Sequence, residues 1–539
     1  MIPATSILPN NPDELKEIIA KLQNSHAAEL EKIRSRHDAE VRLLEEQVRH
    51  LYNKLFGPKS EKSRYGEQSP QLCLFDMPEP DPEGNEENDE EVVVVEEHTR
   101  CKKGRKPLPA SLPRVEVVHD IDEHEKICHC GAELSRIGEE VSEKLDIIPA
   151  VIQVIRHIRP KYSCRHCENV AEKGPTVTIA PVPVQLIPKS IASGGLMAHI
   201  LTAKFADALP FYRQERQFSR LGTDVCRTSM SRWAIKVAEA CIPLKNLLKQ
   251  EILSGPLINA DETTVQVLKE PGRSAQSKSY MWIFRGGNPD APSLYFHYAE
   301  GRNAAVAKEF LEGYNGVVQT DGYSSYYFLE GMKEIVHIGC FAHARRKFVE
   351  AQKAKGKNSK ITGAADIAVG YINDLYRIEK KAKKQELSPE ELLEFRQEEA
   401  KPILDKMHTW IESKSMHVTP KSLLGKAITY SRNQWGRLSG YVDFPFATPD
   451  NNLAENAIRP FCVGRKNWLF AGTPAGAEAS ATIYSLIESA KANRLEPYKY
   501  LRYLLEKLPV ASTTKDYKKL MPSSLTPQIL ETVSKVSFV

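Results

Sequence analysis

Apolar residues recur at steps of three or four positions from residue 13 to residue 56. The apolar stripe is narrow and is flanked by charged residues, which predicts one long helix with a coiled-coil seam over residues 13–57. Asp13 suits the N-terminal cap of this helix, and Gly57-Pro58 suits its end. A narrow seam favours assembly of the chain into a homo-oligomer, and a helical hairpin within one chain is the alternative.

Residues 58–114 lack an apolar period and are rich in Pro, Glu, Asp, Asn and Ser, a composition typical of a disordered linker. Eleven acidic residues and no Lys or Arg occupy residues 76–97, whereas the whole chain has a net charge of +4. The rest of the chain is therefore strongly basic, which suits a polyanionic partner such as DNA, although a solvated basic surface would carry the same charge.

The sign of the charge reverses in a short basic tract that follows the acidic run. A tract of this kind can lie in the narrow minor groove of DNA, where the potential is most negative. We expect DNA contact here, and a plain basic linker is the alternative. The four basic residues are Lys102, Lys103, Arg105 and Lys106.

Residues 115–180 predict a small β-rich metal module. Four of the ten cysteines have the spacing of metal ligands, and they are Cys128, Cys130, Cys164 and Cys167. Two cysteine pairs on turns that strands bring together are the pattern of a zinc ribbon, in which one Zn²⁺ stands in for a core too small to fold alone. The first pair is C-x-C rather than the commoner C-x-x-C. His129 or His166 could replace a thiolate, and four free thiols in a β-meander are the alternative.

The helical period returns over residues 185–252. A helix over 211–218, a turn at 221–223 and a second helix over 229–237 have the order of a helix-turn-helix DNA-binding domain. An ordinary helical hairpin explains the same pattern equally well. The residues that would contact bases and phosphates at the start of the second helix are Arg227, Thr228, Ser229 and Arg232.

Over residues 253–470 the apolar pattern changes from a helical period to strand-like runs. The order of elements is βββαβαβα, and the first three strands predict an antiparallel meander. The strand-like runs are 257–267, 280–285, 293–298, 316–323 and 335–340. This order is typical of an RNase H-like mixed-sheet catalytic core. We expect a helical insertion at about 355–440 and a C-terminal helical segment over 474–539. The fold class is thus a multidomain α/β protein.

Three acids fall where such a core binds metal ions. Asp261 lies in the middle of the first strand, Asp321 ends the fourth, and Glu455 lies on a later helix. Mg²⁺ and Mn²⁺ take oxygen ligands, and two such ions activate an attacking oxygen and stabilise the leaving one. Acids at strand ends often only cap turns. Asp450 competes with Glu455 as the third ligand, but it is more typical of a helix N-cap.

Basic and imidazole side chains near the acids complete the candidate site. Arg459 follows Glu455 by four residues and so shares its helix face. Arg459, or Arg345 and Arg346 on the basic helix after the fifth strand, could bind a phosphate through two hydrogen bonds. His343 could position or protonate a nearby oxygen, or simply pack.

Five strings in the chain resemble the insertion-sequence-66 transposase family. They are ADET at 260–263, QTDGY at 319–323, GCFAHARRKF at 339–348, NLAENAIRP at 452–460 and GRKNWLFAG at 464–472. The likeness extends to the Leu-Phe-Gly end of the first helix, to the Gly-Arg-Lys-Pro tract and to the C-x-C-Gly segment.

The resemblance implies a DDE-type transposase that acts on the terminal inverted repeats of its own mobile element and inserts into target DNA. The acidic triad of the family falls on Asp261, Asp321 and Glu455. Small accessory proteins of the same element are plausible partners. Two other classes remain open: an RNase H-like nuclease, which would only hydrolyse, and a non-catalytic regulator with a zinc and helix-turn-helix DNA-binding part.

No stretch approaches the roughly 18 apolar residues of a membrane span. The first residues also lack the basic start and apolar run of a signal peptide. We therefore expect a cytoplasmic protein with no membrane partner, and the family resemblance implies that it is bacterial and nucleoid-associated.

Overall fold

The structure is a computed structural model that describes residues 11–56, 152–163, 177–354 and 363–534. The acidic linker, the basic tract and the four cysteines expected to bind zinc lie outside the described residues. Those expectations therefore stay predictions. The chain divides into two compact units, one of residues 62–179 and one of residues 1–61 with 180–539.

The first element is the long helix α1 (Pro12–Phe56), which spans 45 residues. Apolar residues along it are exposed, among them Leu22 and Val48. None of the described helices is long and apolar enough to cross a membrane. In the second unit, two short strands, β1 (Lys161–Ser163) and β2 (Val177–Ile179), pair antiparallel.

Four described helices lie between β2 and the main sheet, and they include both helices of the predicted helix-turn-helix. Ser193 caps the first by accepting a hydrogen bond from the Leu196 amide. Gly222, at φ 77°, provides the left-handed turn between the second and the third. The helices are α2 (Gly194–Phe205), α3 (Phe211–Arg220), α4 (Arg227–Ala240) and α5 (Ile242–Leu253).

The main sheet has five strands in the order β5-β4-β3-β6-β7. The first three in sequence pair antiparallel as the predicted meander, β6 runs parallel to β3, and β7 runs parallel to β6. Helix α6 (Ala304–Phe310) lies between β5 and β6. The strands are β3 (Leu257–Gln266), β4 (Lys278–Asn288), β5 (Ala291–Ala299), β6 (Gly316–Gln319) and β7 (Ile335–Ile338).

The connection between β6 and β7 differs from the predicted order. The expected α-helix is instead a 3-10 helix over Ser324–Gly331. The Asp321 carboxylate accepts a hydrogen bond from the Tyr323 amide and turns the chain at once, so only a short segment remains before β7.

Among the described residues, eleven α-helices follow the sheet. They are α7 (Phe341–Ala354), α8 (Ala364–Gln385), α9 (Pro389–Phe395), α10 (Lys401–Ser415), α11 (Leu423–Asn433), α12 (Trp435–Ser439), α13 (Asn452–Trp468), α14 (Pro474–Ala492), α15 (Pro497–Lys507), α16 (Thr514–Lys519) and α17 (Pro527–Ser534). A π-helical turn over Arg396–Ala400 joins α9 to α10. The helices α8 to α11 agree with the helix-rich pattern expected in the insertion.

Both faces of the sheet are buried. Successive strand residues point to opposite sides, so neighbouring residues of one strand pack into different cores. Met281 and Ile283 lie in a core shared with α2, α4, α5, α13, α14 and α15. Trp282 and Phe284 face the other way and pack with α6 and the 3-10 helix. The helices before the sheet and those at the C-terminal end therefore cover the same face.

A third core joins α7, α8, α10 and α11 to the β6–β7 edge. Arg396, which is 1% exposed, ties this helical part to the segment that leads to α13. Its guanidinium makes two hydrogen bonds to the Glu379 carboxylate, of 2.8 and 2.7 Å. It also donates to the carbonyls of Tyr441, Phe444 and Ala447.

Candidate active site

Asp261 lies on β3, and Asp321 lies two residues past the end of its parallel neighbour β6. The parallel ladder pairs Asn259 with Gln319. Two residues further along come Asp261, which is still within β3, and Asp321, which lies in the turn after β6. The two carboxyls are close enough for the Asp321 charge to act on Asp261. Asp261 also faces the same side as its antiparallel partner Ile283, which belongs to the core that includes α13.

Glu455 lies in the first turn of α13 and is close enough for its charge to affect Asp261. The pKa of Asp261 rises to about 8, chiefly because the carboxyl is buried and then because of the nearby charge of Glu262. The charges of Asp321 and Glu455 raise it further. Crowded carboxylates disfavour ionisation unless a cation neutralises them, so this all-oxygen donor set fits a hard divalent cation such as Mg²⁺ or Mn²⁺.

The Glu455 side chain faces the start of α7. Its Oε1 lies 3.6 Å from Nδ1 of His343, and its Oε2 lies 4.0 Å from Nη2 of Arg346. Among the described residues, the Cys, His, Asp and Glu ligand atoms that lie mutually within 4.8 Å come from Cys340, His343 and Glu455. Glu455 therefore forms a close cluster with Cys340 and His343 and not with Asp261 and Asp321. Burial lowers the pKa of His343, while the Glu455 charge raises it.

A network of buried amides connects the elements that carry the three acids. Asn259 Nδ2 donates to Gln319 Oε1 at 2.9 Å and to Asn451 Oδ1 at 3.0 Å. Asn451 Nδ2 donates to the Ala260 carbonyl at 2.8 Å. The three amide residues are 0 to 1% exposed. Asn259 and Gln319 precede the aspartates by two residues, and Asn451 precedes Glu455 by four.

Sequence reasoning missed this amide network. The available signal was a polar amide inside an otherwise apolar strand run, at Asn259 and again at Gln319. Buried polar groups need hydrogen-bond partners, and such a residue therefore predicts a partner from elsewhere in the fold. The network fixes the distances between β3, β6 and the start of α13.

Arg302 is a second feature that sequence reasoning missed. It pairs with Glu262, and its Nη2 lies 4.0 Å from Asp321 Oδ2. Its guanidinium stacks on the Tyr323 ring, 3.4 Å from the ring centre. Glu262 also accepts a hydrogen bond from the Tyr326 hydroxyl. The Glu262 carboxylate is thus already paired with Arg302, and it is not among the expected metal ligands.

A basic cleft of about 820 Å³ opens beside Glu455. Its lining includes the expected phosphate ligands Arg345, Arg346 and Arg459, together with Lys353. Arg346 and Arg459 are exposed. Cationic side chains around a cleft can bind the phosphates of a polyanion.

Asp450 lies at the same cleft but has partners of its own. Its Oδ1 accepts a hydrogen bond from the Asn452 amide at 3.1 Å, in the manner of a helix cap. Burial raises its pKa, and a hydrogen bond from Tyr376 lowers it. These contacts give Asp450 a local role at the start of α13.

The residues expected to contact DNA at the start of α4 are on the surface. Arg227, Thr228 and Arg232 are exposed and Ser229 is half-buried. The Arg227 amide donates to Glu215 Oε1 of α3 at 2.9 Å, which satisfies an amide at the start of the helix. The side chains of Arg227 and Arg232 are thus presented to solvent on a well-packed helix.

Family models match most of the chain. A model described as "Transposase IS66 family" matches residues 189–479. One described as "zinc-finger binding domain of transposase IS66" matches residues 125–168. Residues 43–117 match "Transposase C of IS166 homeodomain", and residues 485–523 match "IS66 C-terminal element".

Several proteins of Sinorhizobium fredii are similar over most of their length. The uncharacterized protein y4jD is 34% identical over 420 residues, which cover 76% of this chain and 79% of that protein. The uncharacterized protein y4qI is 28% identical over 554 residues, which cover 98% of this chain and all of that protein. The names of these relatives state no activity.

Proposed function

The chain belongs to the IS66 transposase family, and we propose that it binds the terminal inverted repeats of its own mobile element and catalyses metal-dependent strand cleavage and strand transfer there. Membership supports a transposase-type nuclease with DNA as its partner. The observation that carries the finer proposal is the closeness of Asp261 and Asp321, with Glu455 at the start of the helix that packs on the same face as Asp261.

We assign an RNase H-like fold to the catalytic core. Three antiparallel strands followed by two parallel ones, in the order β5-β4-β3-β6-β7, support this assignment. The position of Asp261 on the central strand and of Asp321 at the end of its parallel neighbour supports it further. Fold alone does not set function, so the proposal depends on the side chains of the site.

Asp261, Asp321 and Glu455 would hold Mg²⁺ or Mn²⁺, two ions in the full proposal. When bound, such ions supply the positive charge that the attacking and leaving oxygens of a phosphodiester displacement need. The buried Asp261 carboxyl must lose its proton first, since its pKa is raised to about 8.

The basic side chains around the acids bind and orient the DNA. Arg459 and Arg346 extend into the cleft beside Glu455 and would hold the phosphate next to the one that reacts. Arg345, on the same helix as Arg346, lines the cleft as well. His343 has a lowered pKa, so its neutral ring can accept a proton or orient a nearby oxygen.

Recognition of the DNA ends would come from other parts of the chain. We propose structural zinc at the predicted zinc ribbon of residues 115–180, phosphate contacts from the basic tract of residues 102–106, and base contacts from the start of α4. The exposed seam of α1 suits homo-oligomerisation, and an assembly of this kind could hold two DNA ends at once. Accessory proteins of the same element would act on that assembly.

The test is a strand-transfer assay with the full-length protein, Mg²⁺, an end-repeat duplex with a free 3′-hydroxyl, and a plasmid target. We expect joined products with the wild type, and loss of joining with retained DNA binding for Asp321→Asn. The matched control is Asp290→Asn, which changes an exposed aspartate in the turn between β4 and β5. Cleavage without joining would support the nuclease alternative. Binding with neither reaction, unaffected by Asp321→Asn, would support the regulator.

A further inference from the structure

We infer that Cys340, His343 and Glu455 form a second kind of metal site, which takes a transition ion such as Zn²⁺ and blocks the magnesium-dependent reaction by occupying Glu455. The binding part of this inference depends only on geometry. The inhibition part rests on the proposed function, since it takes Glu455 to be a ligand of the catalytic ions. This site is separate from the four cysteines of residues 128–167.

The three ligands come together from two places in the fold. Cys340 follows β7, and His343 lies in the first turn of α7, so the two have the C-x-x-H spacing of a ligand pair on one turn. Glu455 comes from the first turn of α13. One ligand atom from each residue lies within 4.8 Å of the other two.

The distances suit a small tetrahedral ion. Bonds of about 2.0 Å to nitrogen and oxygen and about 2.3 Å to sulfur place tetrahedral ligand atoms roughly 3.3–3.6 Å apart. His343 Nδ1 and Glu455 Oε1 are already 3.6 Å apart. The sulfur needs a movement on the order of 1 Å at most, which a rotation of side chains can supply.

Two of the three ligand atoms lack a hydrogen-bond partner in the structure. His343 Nδ1 and Glu455 Oε1 are both buried and make no hydrogen bond. Their separation is too long for a hydrogen bond between them, yet buried polar atoms normally have a partner. A cation shared by the two atoms would satisfy both.

Two opposing effects act on the sulfur: burial raises the pKa of the Cys340 thiol, and backbone hydrogen bonds lower it. A bound ion therefore has to displace the thiol proton. Cys340 Sγ accepts a hydrogen bond from the Asn451 amide at 3.2 Å. Backbone amides directed at a sulfur stabilise its thiolate form, which is the form that binds metal. The sulfur, nitrogen and oxygen donors together favour Zn²⁺ or Co²⁺ over Mg²⁺, which prefers oxygen ligands alone.

The consequence is competition for one carboxylate. Zinc bound to Oε1 would draw Glu455 towards the start of α7 and away from the position in which it joins Asp261 and Asp321 around magnesium. Zinc bound to Cys340 and His343 would hold Glu455 on the side of α7, where the structure already places it. The catalytic group would then lack its third carboxylate.

The test counts zinc on the full-length protein after equilibration with micromolar free Zn²⁺. We expect Cys340→Ser to bind one zinc fewer than the wild type, and Cys241→Ser to bind the same number. Cys241 is a buried thiol between α4 and α5 and serves as the matched control. Equal zinc content in wild type and Cys340→Ser would overturn the inference.

A measurement on the wild type covers the case in which Cys340→Ser fails to fold. Once one equivalent of zinc has filled the tighter site, the next equivalent added as Co²⁺ should give tetrahedral d–d bands and a charge-transfer band from a single thiolate. Absence of that thiolate band would overturn the inference.

Inhibition is measured separately, as the zinc concentration that halves magnesium-dependent cleavage. We expect this concentration, measured against each protein's own zinc-free rate, to rise at least about tenfold in Cys340→Ser; equal inhibition of both proteins would refute the competition. If the wild type cleaves nothing, the proposed function fails while the zinc count and the cobalt spectrum still decide the metal site.

Discussion

Replacement of Asn451 by leucine is expected to weaken both the fold and the binding of catalytic metal. The substitution keeps the size of the side chain but removes its amide. The Ala260 carbonyl then loses its donor, and Asn259 loses one of its two acceptors. Each buried polar group left without a partner costs about 1–3 kcal/mol, so the unfolding free energy should fall by roughly 2–6 kcal/mol.

The activity effect follows from what the amide network connects. With the network broken at Asn451, the start of α13 is no longer fixed against β3, so Glu455 is held less firmly relative to Asp261. We expect a higher Mg²⁺ concentration for half-maximal cleavage, measured at a temperature at which the variant is folded. The matched control is Asn452→Leu at the next, exposed position, which should change neither quantity.

The two readouts separate positioning from stability. A lower unfolding free energy with an unchanged Mg²⁺ requirement would mean that the network only stabilises the fold. No change in either quantity would refute the hydrogen bonds themselves. Only a joint change in Asn451→Leu, absent from Asn452→Leu, agrees with a role in holding the acids.

Three further outcomes are expected. Arg396→Ala removes one partner of a buried ion pair and should lower the unfolding free energy by about 3–5 kcal/mol; a loss below 1 kcal/mol in a denaturant titration would contradict the contacts described for it. In the folded protein the pKa of Asp261 is raised from 3.8 to about 8. Without divalent ions, the protonated carboxyl therefore stabilises the fold fully below pH 4, and this stabilisation is lost as the pH rises through 8. The gain in melting temperature of Asp261→Asn over wild type should therefore grow between pH 4 and pH 8, and a gain independent of pH would refute the shift. Arg232→Ala should cost roughly 1–3 kcal/mol of binding on end-repeat DNA only, whereas an equal loss on scrambled DNA would make Arg232 a phosphate contact.

Elements whose signals are local could be predicted from the sequence. The apolar period gives α1 over Pro12–Phe56, and the alternating runs give the three strands of the meander. The insertion helices follow from the same kind of pattern. Each of these patterns lies within a single helix or strand, so no knowledge of distant residues is needed.

Contacts between distant residues could not be predicted. Asn259 finds its amide partners 60 and 192 positions away, and neither distance leaves a trace in the local pattern. The same holds for Arg302, which lies after β5 and pairs with Glu262 of β3, 40 positions away. Local patterns also failed after β6, where the Asp321 side chain accepts a hydrogen bond from the Tyr323 amide and a 3-10 helix replaces the expected α-helix.

The packing of the helices around the sheet was equally hidden. Helices before the sheet and helices at the C-terminal end share a core, in which Phe205 of α2 meets Tyr484 of α14 with ring centres 5.1 Å apart. Amphipathic patterns say which face of a helix is buried, but not which helix covers it. The places of the three acids in β3, after β6 and at the start of α13 agree with the predicted order of elements, and their role as metal ligands stays a prediction.

The most direct test of the central claim is the rate of Mg²⁺-dependent cleavage of an end-repeat duplex by carboxylate variants compared side by side. Asp261→Asn, Asp321→Asn and Glu455→Gln should each lose roughly 10²–10³-fold or more, the equivalent of several kcal/mol of transition-state stabilisation, while DNA binding persists. Asp450→Asn should keep its rate to within about threefold, a difference of less than 1 kcal/mol. Full activity of Glu455→Gln together with loss in Asp450→Asn would reassign the third ligand, and full activity of all three variants would contradict the account.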